Sequence, residues 1–196
     1  MTDARKPVFD AIRTARRFQS FTPDEVAAID KLLDALGIPR EDAPGNGLAK
    51  AVESIKRWEG CRLTAYPDPG SGGVPWTIGF GSTRDEQGRA IVPGTTWTQE
   101  RAEARLAAEV AEFAKGVDKL IGAAPTTPGQ RAALVSLAYN IGLGALKEST
   151  LLRLHKEGDY AGAEGQFQRW VKAAGKTMQG LVNRRAAEAA IYGGRA

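Results

Sequence analysis

The chain has one cysteine, one histidine and two methionines in 196 residues, and these scarcities set the first limits on its chemistry. A single cysteine, Cys61, forbids an intrachain disulfide and argues against a cysteine-based metal site. His155 is the only histidine, so a Ser-His-Asp or Cys-His system has one candidate base, far from any nucleophile elbow. No window approaches the ~18 uninterrupted apolar residues of a membrane span, so no transmembrane helix is expected. The stretch MTDARKPVFDAIRTARRF lacks the apolar run of roughly 7–15 residues that a signal peptide needs, so none is expected. Internal repeats and low-complexity tracts are absent. Charge of one sign is also scarce: 27 basic residues against 23 acidic ones leave a net charge of +4. So mild an excess fits an ordinary solvated surface, or attraction to an anionic polymer such as nucleic acid or bacterial wall.

What is present is the composition of a soluble globular protein, 42% apolar and 26% charged, long enough for one domain and a small appendage. Residues 7–18 are weakly amphipathic. Thr22-Pro23-Asp24-Glu25 reads as a helix start, with an N-cap, a proline at the first helical position and a capping-box glutamate. Val26, Ile29, Leu33 and Leu36 continue as one apolar stripe that Gly37 ends. The turn-rich run 38–46, IPREDAPGN, places a boundary between a helical extension, 1–45, and a main domain, 46–196.

In the main domain a helix is expected over 48–59, then strand-like pieces near 62–66, 75–81 and 89–92. Thr98 caps a long helix reaching about residue 121, and Thr127-Pro128-Gly129-Gln130 opens another through Tyr139. Shorter helices are expected near 144–155, 159–171 and 180–191. The fold class is α+β, mainly α, with a small β-ribbon lobe and a larger helical lobe. Phe167 and Trp170 read as core, Cys61 as a small apolar filler and His155 as a surface residue at a helix end.

Residues 58–81, WEGCRLTAYPDPGSGGVPWTIGFG, carry the candidate chemistry. Leu48, Val52, Ile55 and Glu59 are spaced four, three and four apart, so the acid extends an apolar stripe. It also stands at a helix C-terminus, where the dipole disfavours negative charge, with Gly60 as the cap. Both features favour a protonated carboxyl, the form a general acid needs. Taken alone, Glu59 also fits a helix-end residue turned to solvent. Asp68, in Pro67-Asp68-Pro69-Gly70, fits an Asx-turn or the ionised partner of a protonated acid. Thr77 lies in an alternating segment, Trp76–Gly81, and fits an ordinary strand residue or a hydroxyl holding a water. Together, two carboxylates and a hydroxyl could cleave a glycosidic bond.

The order and spacing of these residues resembles the phage-type lysozymes, glycoside hydrolase family 24. Glu59, then Asp68 after eight residues, then Thr77-Ile78-Gly79-Phe80-Gly81 matches the family's opening motif. Asn140-Ile141-Gly142, Ser149-Thr150-Leu151, Gly158-Asp159, Phe167, Trp170 and Gly180-Leu181 with Arg184, Arg185 and Glu188 match its later elements. The likeness covers roughly residues 46–192. Its one departure inside that span is a longer gap before Thr77, from the Gly70–Val74 insertion. The resemblance implies a lysozyme-like two-lobe fold and hydrolysis of bacterial peptidoglycan at the β-1,4 bond between N-acetylmuramic acid and N-acetylglucosamine. It implies Glu59 as general acid, with Asp68 and Thr77 handling water. Trp76, Asn140 and Ser149 become candidate sugar binders, although Asn140 could equally cap a helix and Ser149 start one. No cofactor or metal, no nucleic-acid partner and no stable membrane insertion are implied. A monomer is expected, held in the host cytoplasm until a holin releases it to the wall. A lytic transglycosylase and an inactive wall-binding module are the alternatives.

Overall fold

A computed structural model of the protein describes residues 11–12, 25, 28–29, 31–33, 36, 44–67, 72–173 and 175–195. The chain divides into two compact units, Met1–Gly47 and Leu48–Ala196.

In the first unit, Glu25, Ala28, Ile29 and Lys31, Leu32 and Leu33 are helical. Leu33 is buried as the stripe requires, whereas Leu36, in a turn, is exposed. The start signal Thr22-Pro23-Asp24, Val26 and the cap Gly37 lie outside the described residues, as does most of the 7–18 segment.

Helix α1 spans Pro44–Glu59, starting earlier than the sequence suggests. Pro44 suits a first helical turn, where its missing N–H is no loss. Ala51 and Ile55 are completely buried on its inner face. Strands β1 (Arg62–Pro67) and β2 (Trp76–Gly79) follow as an antiparallel ribbon, with Tyr66 opposite Thr77, Pro67 opposite Trp76 and an irregularity between Arg62 and Tyr66. The expected strand at 89–92 shrinks to a bridge between Arg84 and Ala90. Instead, residues 95–97 lie along β1: Ala65 N–H donates to Thr95 O and Trp97 N–H to Leu63 O. Gly79 is needed at the end of β2. Its φ is +65°, and a Cβ there would stand 3.2 Å from the Trp97 ring.

Helix α2 (Gln99–Ile121) is capped by Thr98, whose hydroxyl accepts from Arg101 N–H. Ala102, Leu106, Val110, Ala114, Val117 and Ile121 form its buried stripe, recurring every three or four residues. Helix α3 (Pro128–Ile141) opens at Thr127 as expected, and Thr127 and Gln130 form a capping box there. It is buried nearly all round, from Ala132 to Ala138, because α2 and the last helix pack on it from both sides. The expected helix at 144–155 is two: α4 (Leu143–Lys147) and α5 (Thr150–Glu157), with Ser149 capping the second. The helix expected over 159–171 is α6 (Tyr160–Gly165) and a 3-10 turn, Gln166–Arg169. A minimal hairpin, β3 (Lys172–Ala173) and β4 (Lys176–Thr177), leads to α7 (Gln179–Tyr192). Among the described residues no helix is long and apolar enough to cross a membrane.

Phe167 is fully buried, and Trp170 packs partly buried against the core. Two expectations are corrected. Cys61 is exposed, because it follows Gly60 at the turn out of α1 instead of sitting on an inward face. His155 is not a surface residue but fully buried. Its ring nitrogens reach Tyr192 Oη at 2.6 Å and Thr126 Oγ1 at 2.8 Å. Those partners come from α7 and from the loop before α3, beyond the reach of any local pattern.

Candidate active site

Glu59 is the last residue of α1, and Gly60 turns the chain away with φ +67°. The stripe beneath it is present: Ile55 is completely buried, and Leu48 and Val52 are half-buried. The side chain of Glu59 keeps 25% of its surface exposed. Its neighbour is not only apolar. Arg184 Nη1 donates to Glu59 Oε1 at 2.7 Å, while Oε2 has no partner among the described residues. That cation lies 125 positions away, and the spacing around Glu59 contains no trace of it.

Arg184 is held in turn. Its Nε donates to Glu188 Oε1 at 3.1 Å and its Nη2 to Ser136 O at 3.4 Å. Glu188 is fully buried and also accepts from Ser136 Oγ at 2.7 Å. Arg185, completely buried, places Nε 3.0 Å from Glu188 Oε2. Its Nη2 donates to Asn140 Oδ1 at 3.1 Å. Burial pushes the Glu188 carboxyl up and the Arg185 guanidinium down to about 10, and the attraction between the two groups opposes both shifts. Arg184 and Arg185 thus both pair with Glu188 of their own helix, and Glu59 joins through Arg184.

On the ribbon, Thr77 and Trp76 are half-buried in β2, and Trp76 packs against the core. Tyr66, opposite Thr77, carries the Arg62 guanidinium 4.6 Å above its ring. Burial raises the Tyr66 phenol; Arg62 opposes the shift and the charge of Glu59 adds to it. The ribbon and the end of α1 are thus electrostatic neighbours. Asp68 lies outside the described residues, as do Gly70 and Ser71 of the insertion. Asn140 is exposed near the end of α3. Ser149 is buried, and its hydroxyl accepts from Leu152 N–H and donates to Leu146 O.

One brace had no motif to signal it. Glu109 of α2 accepts from Ser82 Oγ and from Tyr139 Oη, each at 3.0 Å, and pairs with Arg105 at 2.9 Å. It ties the segment after β2 to α2 and α3. Among the described residues no group of three or more His, Cys, Asp or Glu side chains is placed to hold a metal ion.

Residues 56–188 match the sequence pattern of the phage lysozyme family. The chain belongs to that family. It is 41% identical over 145 residues to the endolysin of Bacillus phage B103, covering 72% of this chain and 51% of that one. The chain thus spans about half the length of the Bacillus phage relatives it matches. Its structure resembles the endolysin from Escherichia coli O157:H7 phage FAHEc1, with a TM-score of 0.65 and 40% identity over 73% of this chain and 90% of that one. It also resembles the muramidase domain of SpmX from Asticaccaulis excentricus, with a TM-score of 0.63 and 32% identity over 72% and 94% of the two chains. The expected lysozyme-like fold, mainly helical with a small antiparallel ribbon, is the fold observed.

Proposed function

We propose that this phage lysozyme family member hydrolyses bacterial peptidoglycan at the β-1,4 bond between N-acetylmuramic acid and N-acetylglucosamine, as an endolysin serving host lysis. The observation that carries this reading is Glu59, fixed through one oxygen by a buried arginine and open through the other. In this reading Oε2 is the oxygen that delivers a proton to the glycosidic oxygen. The carboxylate left behind is stabilised by Arg184, so proton donation becomes more favourable as the bond breaks. Asp68 and Thr77 position and activate water on the opposite face of the sugar. Such inversion needs the two carboxyl groups about 6.5–9.5 Å apart.

Trp76 and Asn140 face the sugar chain, and Ser149 caps the start of α5. Residues 46–196 form the catalytic part and 1–45 an appended helical extension. The enzyme works as a monomer without a cofactor, accumulates in the host cytoplasm and reaches the wall once a holin opens the membrane. Its net charge of +4 favours encounter with an anionic wall. Clearing of permeabilised Gram-negative cells tests the reading. Glu59→Gln should lower the lysis rate by roughly 10²–10⁴-fold with the melting transition intact. Near-normal lysis by that variant refutes the assignment. Reducing N-acetylmuramic acid ends are expected in the products, whereas anhydro ends identify a transglycosylase.

A further inference from the structure

Glu59 and Asn140 lie on different helices, yet both trace back to one carboxylate. Glu188 Oε1 accepts from Arg184 Nε at 3.1 Å and from Arg185 Nη2 at 3.3 Å. Ser136 Oγ fixes the same oxygen at 2.7 Å. Each arginine then reaches outward with a different nitrogen or a shared one: Arg184 Nη1 to Glu59 Oε1 at 2.7 Å, Arg185 Nη2 to Asn140 Oδ1 at 3.1 Å.

The Asn140 end has a further consequence. Arginine carries donors only, so the atom of Asn140 facing it must be the carbonyl oxygen. The ambiguity of a side-chain amide is therefore resolved by its partner. The NH₂ group turns away from Arg185 on an exposed residue. A group with two N–H donors and no acceptor, presented at the surface, takes a hydroxyl or acetamido carbonyl oxygen, both abundant on an amino-sugar chain.

We infer that Glu188 is a positioning residue serving two arms, setting Glu59 through Arg184 and aiming the Asn140 NH₂ donor at a sugar oxygen through Arg185. This rests on the saccharide-cleaving reading above. The arms separate experimentally. Binding to purified insoluble peptidoglycan is measured in the Glu59→Gln background, where cleavage does not interfere, and lysis kinetics in the active background. Asn140→Asp keeps an acceptor for Arg185 and removes the donor, so wall affinity should fall roughly 2- to 12-fold, the worth of one hydrogen bond. Arg185→Lys should lower affinity similarly and raise apparent KM. The double variant should lose no more than the larger single loss. Arg184→Lys should instead lower kcat about tenfold or more with wall affinity retained, and Glu188→Gln should show both effects.

Parent-like affinity in Asn140→Asp overturns the sugar contact. Parent-like affinity in Arg185→Lys alongside a loss in Asn140→Asp overturns the positioning. If Glu188→Gln does not fold, the two arginine variants decide. Should Glu59→Gln still lyse walls, the catalytic reading fails, while the affinity comparisons among the other variants still judge the Asn140 arm.

Discussion

Tyr192 donates its phenolic proton to Nδ1 of His155 across 2.6 Å, inside the core. The direction follows from the other side of the ring. Thr126 Oγ1 gives its only proton to Ala124 O at 2.8 Å, so towards His155 Nε2, also at 2.8 Å, it can only accept. Nε2 therefore carries a hydrogen; burial favours the neutral ring, and in that form Nδ1 is the acceptor. The latch joins α5, the loop before α3 and the C-terminal turn of α7.

Burial depresses the basicity of His155. In the unfolded chain it returns to about 6.5. Below that value the unfolded state binds a proton that the folded state resists, so stability is fully present above about pH 6.5. It is lost as pH falls from there towards the lower folded-state value. Melting temperature should therefore decline on acidification through this window. His155→Gln should flatten that part of the profile. Since His155 is the only histidine, an unchanged slope in the variant rules out the latch as its source.

Glu109→Ala should destabilise the protein by roughly 1.5–3 kcal/mol, the range for hydrogen bonds to a charged group. It removes the side-chain partner of Ser82 and Arg105 and leaves Tyr139 only its bond to Phe80 O at 3.2 Å. Tyr139→Phe removes one donor and should cost about 1 kcal/mol. Urea midpoints of the two single variants and the double variant check this. Full additivity would show that the bond between Tyr139 and Glu109 contributes nothing.

Gly79→Ala should cost about 1–3 kcal/mol, because φ is +65° and the new Cβ meets the Trp97 ring at 3.2 Å. Lysis should fall as well, since any shift of Gly79 moves Thr77 two residues before it. A variant that melts and lyses like the parent would show that the ribbon tolerates the shift.

What was legible in the chain was what its local pattern carries. Thr98 and Thr127 mark helix starts because a cap is made with residues three positions on. The phase of Glu59 follows from 3.6 residues per turn. The illegible features are made by distant groups. His155 looks like a surface residue beside Lys156 and Glu157, and only Tyr192, 37 positions on, reveals it as core. Arg184 was visible as a motif, but its bond to Glu59 exists only once α7 is folded against α3. Cys61 failed for a different reason: an apolar residue just past a helix end has no periodicity to assign its face.

A chain beginning at Pro44 tests how self-contained the catalytic part is. It keeps all of α1 and the whole Leu48–Ala196 unit, which holds every partner described for Glu59: Arg184, Glu188, Ser136 and the ribbon bearing Tyr66 and Thr77. Each of these lies outside the 1–43 segment, so the truncated chain should unfold in one cooperative transition and clear permeabilised cells within about threefold of the full chain's rate. The His155 latch and the Glu109 brace also fall inside the retained unit, so the acid-dependent decline in melting temperature should persist. A truncated chain that folds but loses lysis more than tenfold would assign residues 1–43 a part in completing the site. Failure to fold would make them part of the core.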